Sequence, residues 1–401
     1  MTSSYGEAEI GPFVRIAKLA EGGTSILWLA RRADRPAEDV FVLKELAPHL
    51  RTTPAAVDAI RAEGRLGGMF QSPHLVSCAT AFGHGGTMWL PMSLIRGATL
   101  RELSVASLRE GTLPPLSVIV TLIAQVARGL ASAHQQRGED GGNLHIIHRD
   151  VSPSNIVIGF DGVARLIDFG VAFSRLHANL HEDGQLRGKF SYMTPEQVLG
   201  LPVEQASDIF SLGITLWEQL LGRPLFRAGS PIETTQRIAH AEIFAPSRLR
   251  ASIPPALDAI TLRCLDRDPK ARPTAQELAD TLEGILRTLP PQDRAWSLRA
   301  FVHHYGHARA QWFQGQGVIL GTPARPLAAL LAPPTDAGNN RTLASAPIEI
   351  ATRARLGQSM TSDHEVITST PTIGAHHYAP NTGDLVAVIT NPRELRIRTR
   401  P

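Results

Sequence analysis

The segment IIHRDVSPSNIVI, residues 146–158, constrains this chain more than any other feature of its sequence. It is a polar loop between two apolar runs, and it places Asp150 five positions before Asn155. Thirteen residues after Asn155, the segment LIDFG adds a second carboxylate, Asp168. One carboxylate can orient and deprotonate an attacking hydroxyl, while an amide and the second carboxylate can bind Mg²⁺. Because the HRD and DFG triplets occur together in this order and spacing, they indicate phosphoryl-transfer chemistry.

Composition predicts a globular protein. The chain has 401 residues, of which 43% are hydrophobic and 19% charged, which is enough for two or more packed units. A net charge of +3 gives no case for nucleic acid or an anionic membrane as a partner. Cys78 and Cys264 are too far apart in sequence to suggest a disulfide framework or a zinc site, so a reducing compartment is expected.

Nothing in the sequence predicts a targeting or membrane segment. The start, MTSSYGEAEIGPF, lacks the basic flank and apolar run of a signal peptide. The most apolar stretch, residues 113–130, is interrupted by Gln125 and Arg128, which favours a buried helix over a membrane span. We therefore expect a cytoplasmic protein.

The pattern of apolar residues predicts two lobes and a tail. Strand-like runs fill about the first ninety residues (FVRIAKL, SILWLARR, VFVLKEL and shorter runs near CATAF and MWLPM), with one helix at about 54–70. Helical patterns then dominate, at residues 116–134 and at about 205–221, 255–266 and 274–288. The run AWSLRAFVHHYGHARAQWF predicts one more helix, and beyond about residue 315 the composition is typical of a flexible tail.

Two features of the first lobe suggest phosphate binding. Gly22 and Gly23 lie at the tip of a predicted hairpin, where bare backbone amides can approach phosphates, although residues like these, taken alone, more often form an ordinary hairpin turn. Lys44 is one of only four lysines and lies in the buried-strand pattern FVLKEL. A buried ammonium needs a partner, and Glu63 on the predicted helix is the natural one. The alternative is a surface lysine on an edge strand and a solvated glutamate.

Residues of about 13–288 resemble a eukaryotic-like bacterial protein Ser/Thr kinase in every major motif. The resemblance implies an α+β, bilobal fold with a small β-rich N-lobe, a large helical C-lobe and a flexible C-terminal tail. It also implies ATP and Mg²⁺ as cofactors, proteins as substrates, and autophosphorylation. The predicted organisation is an N-terminal segment (1–12), the kinase domain (13–288), a helical extension (289–315) and a disordered tail (316–401).

The resemblance assigns roles to individual residues. Asp150 would accept the proton of the attacking hydroxyl, Asn155 and Asp168 would bind Mg²⁺, and Lys44, paired with Glu63, would contact the α and β phosphates. The remaining expected nucleotide contacts are Leu19, Gly22, Gly23, Leu27, Val42, the gatekeeper Met92, the hinge from Ser93 to Ile95, and Val157.

The resemblance also predicts two supporting contacts. Thr194, Pro195 and Glu196 occupy the place of the family's Ala-Pro-Glu motif, and Arg272 matches the arginine that pairs with its glutamate. Asp208 matches the aspartate that fixes the catalytic loop, although by its position alone it could be a helix N-cap.

The chain departs from the family pattern at several positions. Ala20 and Ser25 stand where the glycine-rich loop prefers glycine. Ser152 replaces the catalytic-loop lysine, and Lys189 replaces a threonine before the Thr-Pro-Glu motif. In the family that lysine and that threonine contact each other, so the ammonium and the hydroxyl look exchanged between the two positions. The alternative for Lys189 is a substrate-pocket lysine that faces solvent. These departures keep a second hypothesis open, namely a pseudokinase or ATP-binding scaffold that transfers nothing.

Two further segments raise questions of regulation. Glu182 or Asp183 could replace an activating phosphate opposite Arg149, or they could be solvated loop charges. The predicted first-lobe helix contains three glycines, each of which costs about 0.8 to 1 kcal/mol against alanine in a helix interior. These are Gly64, Gly67 and Gly68. Such a helix is expected to form fully only when another part of the protein packs on it.

Overall fold

The N-lobe of the computed structural model is built on a six-stranded antiparallel sheet, and the structure describes residues 8–169, 190–294, 296–321 and 325–333. The strands are β1 (Ala8–Ile10), β2 (Phe13–Glu21), β3 (Ser25–Arg32), β4 (Val40–Leu46), β5 (Phe82–His84) and β6 (Thr87–Met92). Their order across the sheet is β1-β2-β3-β4-β6-β5. The predicted strands are confirmed, except that the one expected near CATAF begins only at Phe82.

One helix, α1 (Pro54–Met69), packs against this sheet, as predicted. Two of its glycines allow that packing. A Cβ atom on Gly64 would lie 2.7 Å from the carbonyl oxygen of Ala79, and one on Gly67 would lie 2.5 Å from Cys78 Cβ. Residues 78–79 therefore lie directly against the helix backbone at Gly64 and Gly67, which explains why a helix that needs a packing partner carries these glycines.

The C-lobe is helical and contains one small sheet. Its strands are β7 (Gly97–Thr99), β8 (Ile156–Gly159) and β9 (Ala164–Leu166). Its helices are α2 (Leu100–Arg109), α3 (Leu116–His134), α4 (Pro195–Val198), α5 (Gln205–Leu221), α6 (Pro231–His240), α7 (Pro255–Cys264) and α8 (Ala275–Thr288). The four helices predicted for this lobe, α3, α5, α7 and α8, lie within two residues of the expected bounds.

Helix α3 forms the centre of this lobe and packs against α5 and α8. By length and composition it is the one helix of the described residues that could cross a membrane, but 78% of its most apolar window is buried inside the fold. The prediction that this stretch is a buried helix of the core agrees with its burial in the structure.

Two predictions for the region after α8 were wrong. The single helix predicted over residues 295–313 is two helices, α9 (Leu298–Tyr305) and α10 (His307–Gly315), which meet at Gly306. A Cβ atom on Gly306 would lie 2.4 Å from the carbonyl oxygen of Val302 and 3.3 Å from the ring of Phe160, so this junction has no room for a side chain.

The tail was predicted to begin at residue 316, but the chain remains packed beyond that point. Val318 is buried in the main core. A short helix, α11 (Leu327–Leu331), covers aromatic residues on the outer face of the N-lobe sheet. Residues 334–401 lie outside the described part of the chain.

Candidate active site

Lys44 on β4 connects helix α1 to the DFG segment. Its Nζ atom donates to both carboxylate oxygens of Glu63, at 2.8 and 2.9 Å, and to Oδ1 of Asp168 at 2.7 Å. The side chains of Lys44 and Glu63 are each 7% exposed, so the alternative of a surface lysine and a solvated glutamate is wrong. Burial disfavours the ammonium, but the carboxylates of Asp168 and Glu63 outweigh burial and raise the pKa of Lys44. The lysine therefore remains charged in the folded protein.

Asp168 is held in an unusual backbone conformation. Its φ of 61° lies in the left-handed region, which is uncommon for a residue other than glycine. The following ring, Phe169, is buried against Phe70, at 4.5 Å between ring centroids, and against His148, at 4.6 Å. These contacts fix the backbone on the carboxyl side of Asp168. The sequence reasoning missed Phe70, which follows the last residue of α1 and is identified only by its contact with Phe169.

The catalytic loop brings Asp150 and Asn155 together. The amide nitrogen of Asn155 donates to Oδ2 of Asp150 at 2.9 Å and to its carbonyl oxygen at 2.8 Å. Since this nitrogen is committed to Asp150, the amide oxygen of Asn155 is the atom suited to bind a metal. Asn155 also accepts a hydrogen bond from the backbone of Ile167, which joins the loop to the segment of Asp168.

The oxygen donors of Asn155 and Asp168 fit Mg²⁺, which favours carboxylate and carbonyl oxygens and keeps several waters. Among the described residues there is no group of three or more His, Cys, Asp or Glu side chains that could hold a metal. The donor set therefore suits a metal ion that is shared with substrate phosphates and does not resemble a closed structural site.

Asp208 on α5 holds the catalytic loop through hydrogen bonds to its carboxylate. Its carboxylate accepts hydrogen bonds from the backbone amides of His148 and Arg149, each at 2.8 Å, and from Nε2 of His134, also at 2.8 Å. Arg149 has a left-handed φ of 69°, so Asp208 stabilises a strained backbone. The N-cap of α5 is Glu204, and the alternative that Asp208 is only a helix cap is wrong. The contribution of His134 had no signal in the sequence beyond its position at the end of α3.

A buried ion pair joins the Thr-Pro-Glu motif to the end of the kinase-like region. Arg272 donates to both carboxylate oxygens of Glu196, at 2.7 and 3.0 Å. Burial would raise the pKa of Glu196, but the hydrogen bonds from Arg272 and Ser207 lower it below its ordinary value. The predicted pairing is therefore present, and α4, which begins after the N-cap Thr194, is fixed to α5 and to the loop before α8.

Several of the expected nucleotide contacts lie on paired strands or on the connection between the two lobes. Strand pairing sets Leu27 opposite Lys44 and Val42 opposite Met92, while Val157 on β8 pairs with Thr99. Leu19, Leu27 and Ile95 are partly buried apolar residues packed against the main core, and the amide of Ser93 donates to Ser77. These residues therefore belong to β2, β3, β4 and β6 of the N-lobe, to β8 of the C-lobe and to the segment that connects β6 with β7.

The glycine turn has no packing reason for glycine. The amide of Gly22 donates to the carbonyl of Ser25 and closes the hairpin at 2.9 Å. A Cβ atom on Gly23 would meet no atom within 4 Å, and one on Gly22 would lie 3.9 Å from its nearest neighbour. Neither glycine has a positive φ. Neither packing nor a left-handed backbone therefore requires glycine here, and the approach of phosphates to this turn stays a prediction.

Only some of the residues that depart from the family pattern lie in the described part of the chain. Ser152 is 3% exposed within the catalytic loop, and its carbonyl accepts from the amide of Asn155. Lys189, Glu182 and Asp183 lie outside the described residues.

Comparison with known proteins identifies the family. A model of the protein kinase domain matches residues 13–282. The chain is 33% identical to the tyrosine-protein kinase MasK of Myxococcus xanthus, over 75% of this chain and 47% of MasK. It is 30% identical to the serine/threonine-protein kinase PknL of Mycobacterium tuberculosis, over 72% of this chain and 69% of PknL. It is 32% identical to PknH of the same organism, over 71% of this chain and 43% of that kinase.

The chain belongs to the protein kinase family. It spans about half the length, or less, of MasK and PknH. The crystal structure of the Mycobacterium tuberculosis PknI kinase domain superposes with a TM-score of 0.52 at 20% identity, over 69% of this chain and 97% of that domain. The predicted bilobal α+β kinase fold and the resemblance to bacterial kinases of the eukaryotic-like type are thereby confirmed.

Proposed function

We propose that this protein is an active kinase that transfers the γ-phosphate of ATP to Ser or Thr hydroxyls of protein substrates and of itself, in the cytoplasm. The observation that carries the proposal is the Lys44 ammonium, which contacts Glu63 and Asp168 at once. A charged lysine joined to the helix and to the proposed metal ligand is the arrangement that phosphate positioning requires.

Each remaining step of the transfer has a residue to perform it. Mg²⁺ bound by Asp168 and Asn155 would neutralise charge on the phosphates of ATP. Lys44 orients the α and β phosphates. Asp150 accepts the proton of the substrate hydroxyl while the oxygen of that hydroxyl bonds to the γ-phosphorus. The bond between the γ-phosphorus and the β-phosphate oxygen breaks, and ADP leaves. The hydrogen bond from Asn155 holds the Asp150 carboxylate in one orientation for this role.

Radiolabelled ATP and Mg²⁺ test the proposal directly. The purified wild-type protein should label itself, and Asp150→Asn should abolish the label while binding ATP nearly as well, because Asp150 is proposed to act on the hydroxyl and not on the nucleotide. Equal label on both proteins would show that Asp150 is not the proton acceptor. Nucleotide binding without label on either protein would favour the alternative, a pseudokinase, which the departures at Ala20, Ser25 and Ser152 motivate.

The class of hydroxyl is a separate question, because MasK is named a tyrosine kinase while PknL and PknH are named serine/threonine kinases. The catalytic loop HRDVSPSN lacks the tyrosine-kinase pattern, which supports Ser and Thr as acceptors. Phosphoamino-acid analysis of the labelled protein should show phosphoserine and phosphothreonine. Phosphotyrosine as the main product would overturn the assignment of acceptor and leave the kinase assignment intact.

A further inference from the structure

The helices that follow the region matched by the kinase model are integral to the C-lobe. Leu298, Phe301 and Val302 on α9 are buried in the main core. The hydroxyl of Tyr305 lies 2.8 Å from Oγ1 of Thr112. Helix α10 is therefore attached to the C-lobe through α9, and its residues have defined positions relative to α2.

Arg309 on α10 reaches both sides of the nucleotide cleft. One guanidinium nitrogen donates to the carbonyl oxygen of Leu19 at 3.4 Å, and another forms an ion pair with Oε1 of Glu102. Leu19 lies on β2, two residues before the end of that strand and three before Gly22 in the glycine turn. Glu102 lies in the first turn of α2, directly after β7. One side chain thus joins β2 of the N-lobe to α2 of the C-lobe, close in sequence to the glycine turn.

The partner carboxylate is itself fixed. Oε2 of Glu102 accepts hydrogen bonds from the backbone amide of Thr99 at 2.8 Å and from its hydroxyl at 2.9 Å, as part of a capping box. Burial would raise the pKa of Glu102, but Arg309 and Thr99 outweigh burial and lower it. Arg309 therefore meets a charged carboxylate in a defined position, and its planar fork can hold Glu102 and Leu19 together.

The chain after α10 is anchored on the opposite lobe. Arg32 donates to the carbonyl of Leu331 at 2.8 Å, and Arg325 pairs with the buried Asp39 at 2.8 Å. Leu327 and Leu330 of α11 are buried against the outer face of the N-lobe sheet. The segment that carries Arg309 is thus attached to the C-lobe before it and to the N-lobe after it, so the contact at the cleft is part of a connection between the lobes.

We propose that Arg309 is a positioning residue for ATP: by holding Leu19 against Glu102 it fixes the strand that leads into the glycine turn, and so preorganises the cleft for the nucleotide. The inference rests on the proposed function only in placing ATP in this cleft. A strand already held in its bound position loses less conformational freedom on binding, which increases affinity without changing the chemical step. Arg309 is therefore expected to affect nucleotide affinity and not the rate of transfer at saturation.

Calorimetric titration of the full chain with ADP and Mg²⁺ tests this, because it requires no transfer. Arg309→Gln should weaken ADP binding about twofold to fivefold, as expected for a partly exposed charged contact, since its side chain is 24% exposed and that of Glu102 is 41% exposed. The KM for ATP should rise by a similar factor while kcat is retained. Arg309→Lys, which keeps the charge but not the fork, should bind ADP with intermediate affinity. Arg299→Gln is the matched control, because Arg299 is an exposed arginine of the same extension.

A double-mutant cycle with Glu102→Gln completes the test. Once Glu102 is neutral, Arg309→Gln should weaken ADP binding by a much smaller factor, because the two residues act through one contact. Unchanged ADP affinity in Arg309→Gln, additive effects of the two changes, or a loss confined to kcat would each overturn the proposal. Loss of transfer by the wild type with the ADP results as expected would contradict the proposed kinase activity alone.

Discussion

The backbone amide of Cys78 donates a hydrogen bond to the carbonyl oxygen of Gly67, at 3.2 Å, across the gap between helix α1 and the segment before β5. Gly67 lies in the last turn of α1, where helix carbonyls have no intrahelical partner. The absence of a side chain at Gly67 lets Cys78 approach this carbonyl closely. Glu63 lies one turn earlier on the same helix and reaches Lys44. The close packing at Gly67 therefore helps to determine the position of α1, and with it the position of the Glu63 carboxylate relative to Lys44.

Gly67→Ala should lower both stability and activity. Alanine improves helix propensity by about 0.8 to 1 kcal/mol, but its Cβ atom would lie 2.5 Å from Cβ and Sγ of Cys78. Relieving that overlap is expected to cost about 1–3 kcal/mol and to move Glu63 away from Lys44. Urea unfolding and the rate of autophosphorylation measure the two effects.

Gly68→Ala is the matched control for this prediction. Gly68 is exposed, and a Cβ atom there would lie 3.6 Å from the nearest atom, the carbonyl oxygen of Cys78. It should be neutral or stabilise the protein by up to about 1 kcal/mol with activity retained. If both alanine variants were equally stable and active, the packing at Gly67 would not determine the position of α1.

Asp208→Asn should reduce activity more than stability. Each carboxylate oxygen of Asp208 accepts a backbone amide, from His148 or Arg149, and an amide nitrogen cannot accept. One buried N–H would lose its partner, at a cost of about 1–3 kcal/mol, and the strained loop that carries Asp150 would relax. We expect kcat to fall on the order of 10²-fold. Asp58→Asn, at an exposed position on α1, should change neither quantity, and a similar kcat in both variants would contradict the role given to Asp208.

The raised pKa of Glu218 leads us to expect that the stability of the protein depends on pH. Burial raises its pKa to about 6, while hydrogen bonds from the Tyr192 hydroxyl at 2.6 Å and the Leu225 amide at 3.0 Å oppose that rise. Between pH 4.5, its ordinary pKa, and about 6, the folded protein holds a proton that the unfolded chain has released. The free energy of unfolding should therefore fall as pH rises through this window, by about 2 kcal/mol in total.

Glu218→Gln isolates this contribution, because every other titrating group is common to both proteins. Chemical unfolding at pH 4.5, 5.5 and 6.5 should show the wild type losing stability relative to the variant. Parallel pH profiles for the two proteins would mean that Glu218 titrates normally in the folded state.

The sequence predicted that Lys44 pairs with Glu63 and that Asp150 and Asn155 share one loop, because the chemistry proposed for these residues constrains them. Asp150, Asn155 and Asp168 must stand at set distances along the chain, and a buried lysine requires a carboxylate such as Glu63. Other features depend on contacts between distant segments and leave no periodic pattern. Arg309 meets Leu19 across 290 residues of sequence. Helix α11 is only five residues long, too short for a helical repeat to be recognised within a proline- and alanine-rich stretch.

Residues 325–333 are expected to contribute to stability. Leu327 and Leu330 cover aromatic residues of the N-lobe sheet, among them Trp28 and Phe41. A chain ending at residue 321 would expose this apolar face and should lose about 2–4 kcal/mol of unfolding free energy. A chain ending at residue 333 is the control and should match the full-length protein in thermal unfolding. Equal melting temperatures for the two truncated chains would show that α11 does not stabilise the lobe.

The last prediction concerns Ser152 and Lys189. In the kinase family the catalytic-loop lysine contacts the transferring phosphate and a threonine before the Ala-Pro-Glu motif, and this chain has serine at the first position and lysine at the second. If the ammonium of Lys189 serves the same phosphate from the other side, its removal should be felt mainly in the transition state. Lys189→Ala should then lower kcat on the order of 10²- to 10³-fold with little change in the KM for ATP.

Adding Ser152→Lys to Lys189→Ala should partly restore kcat, because it returns an ammonium to the catalytic loop. Lys270→Ala, at an exposed lysine far along the chain from both positions, is the control for loss of a lysine. Steady-state kinetics with a protein or peptide acceptor separates kcat from KM in all four proteins. Wild-type turnover in Lys189→Ala would show that transfer proceeds without this ammonium, and that Lys189 instead belongs to the solvent-facing side of the substrate pocket.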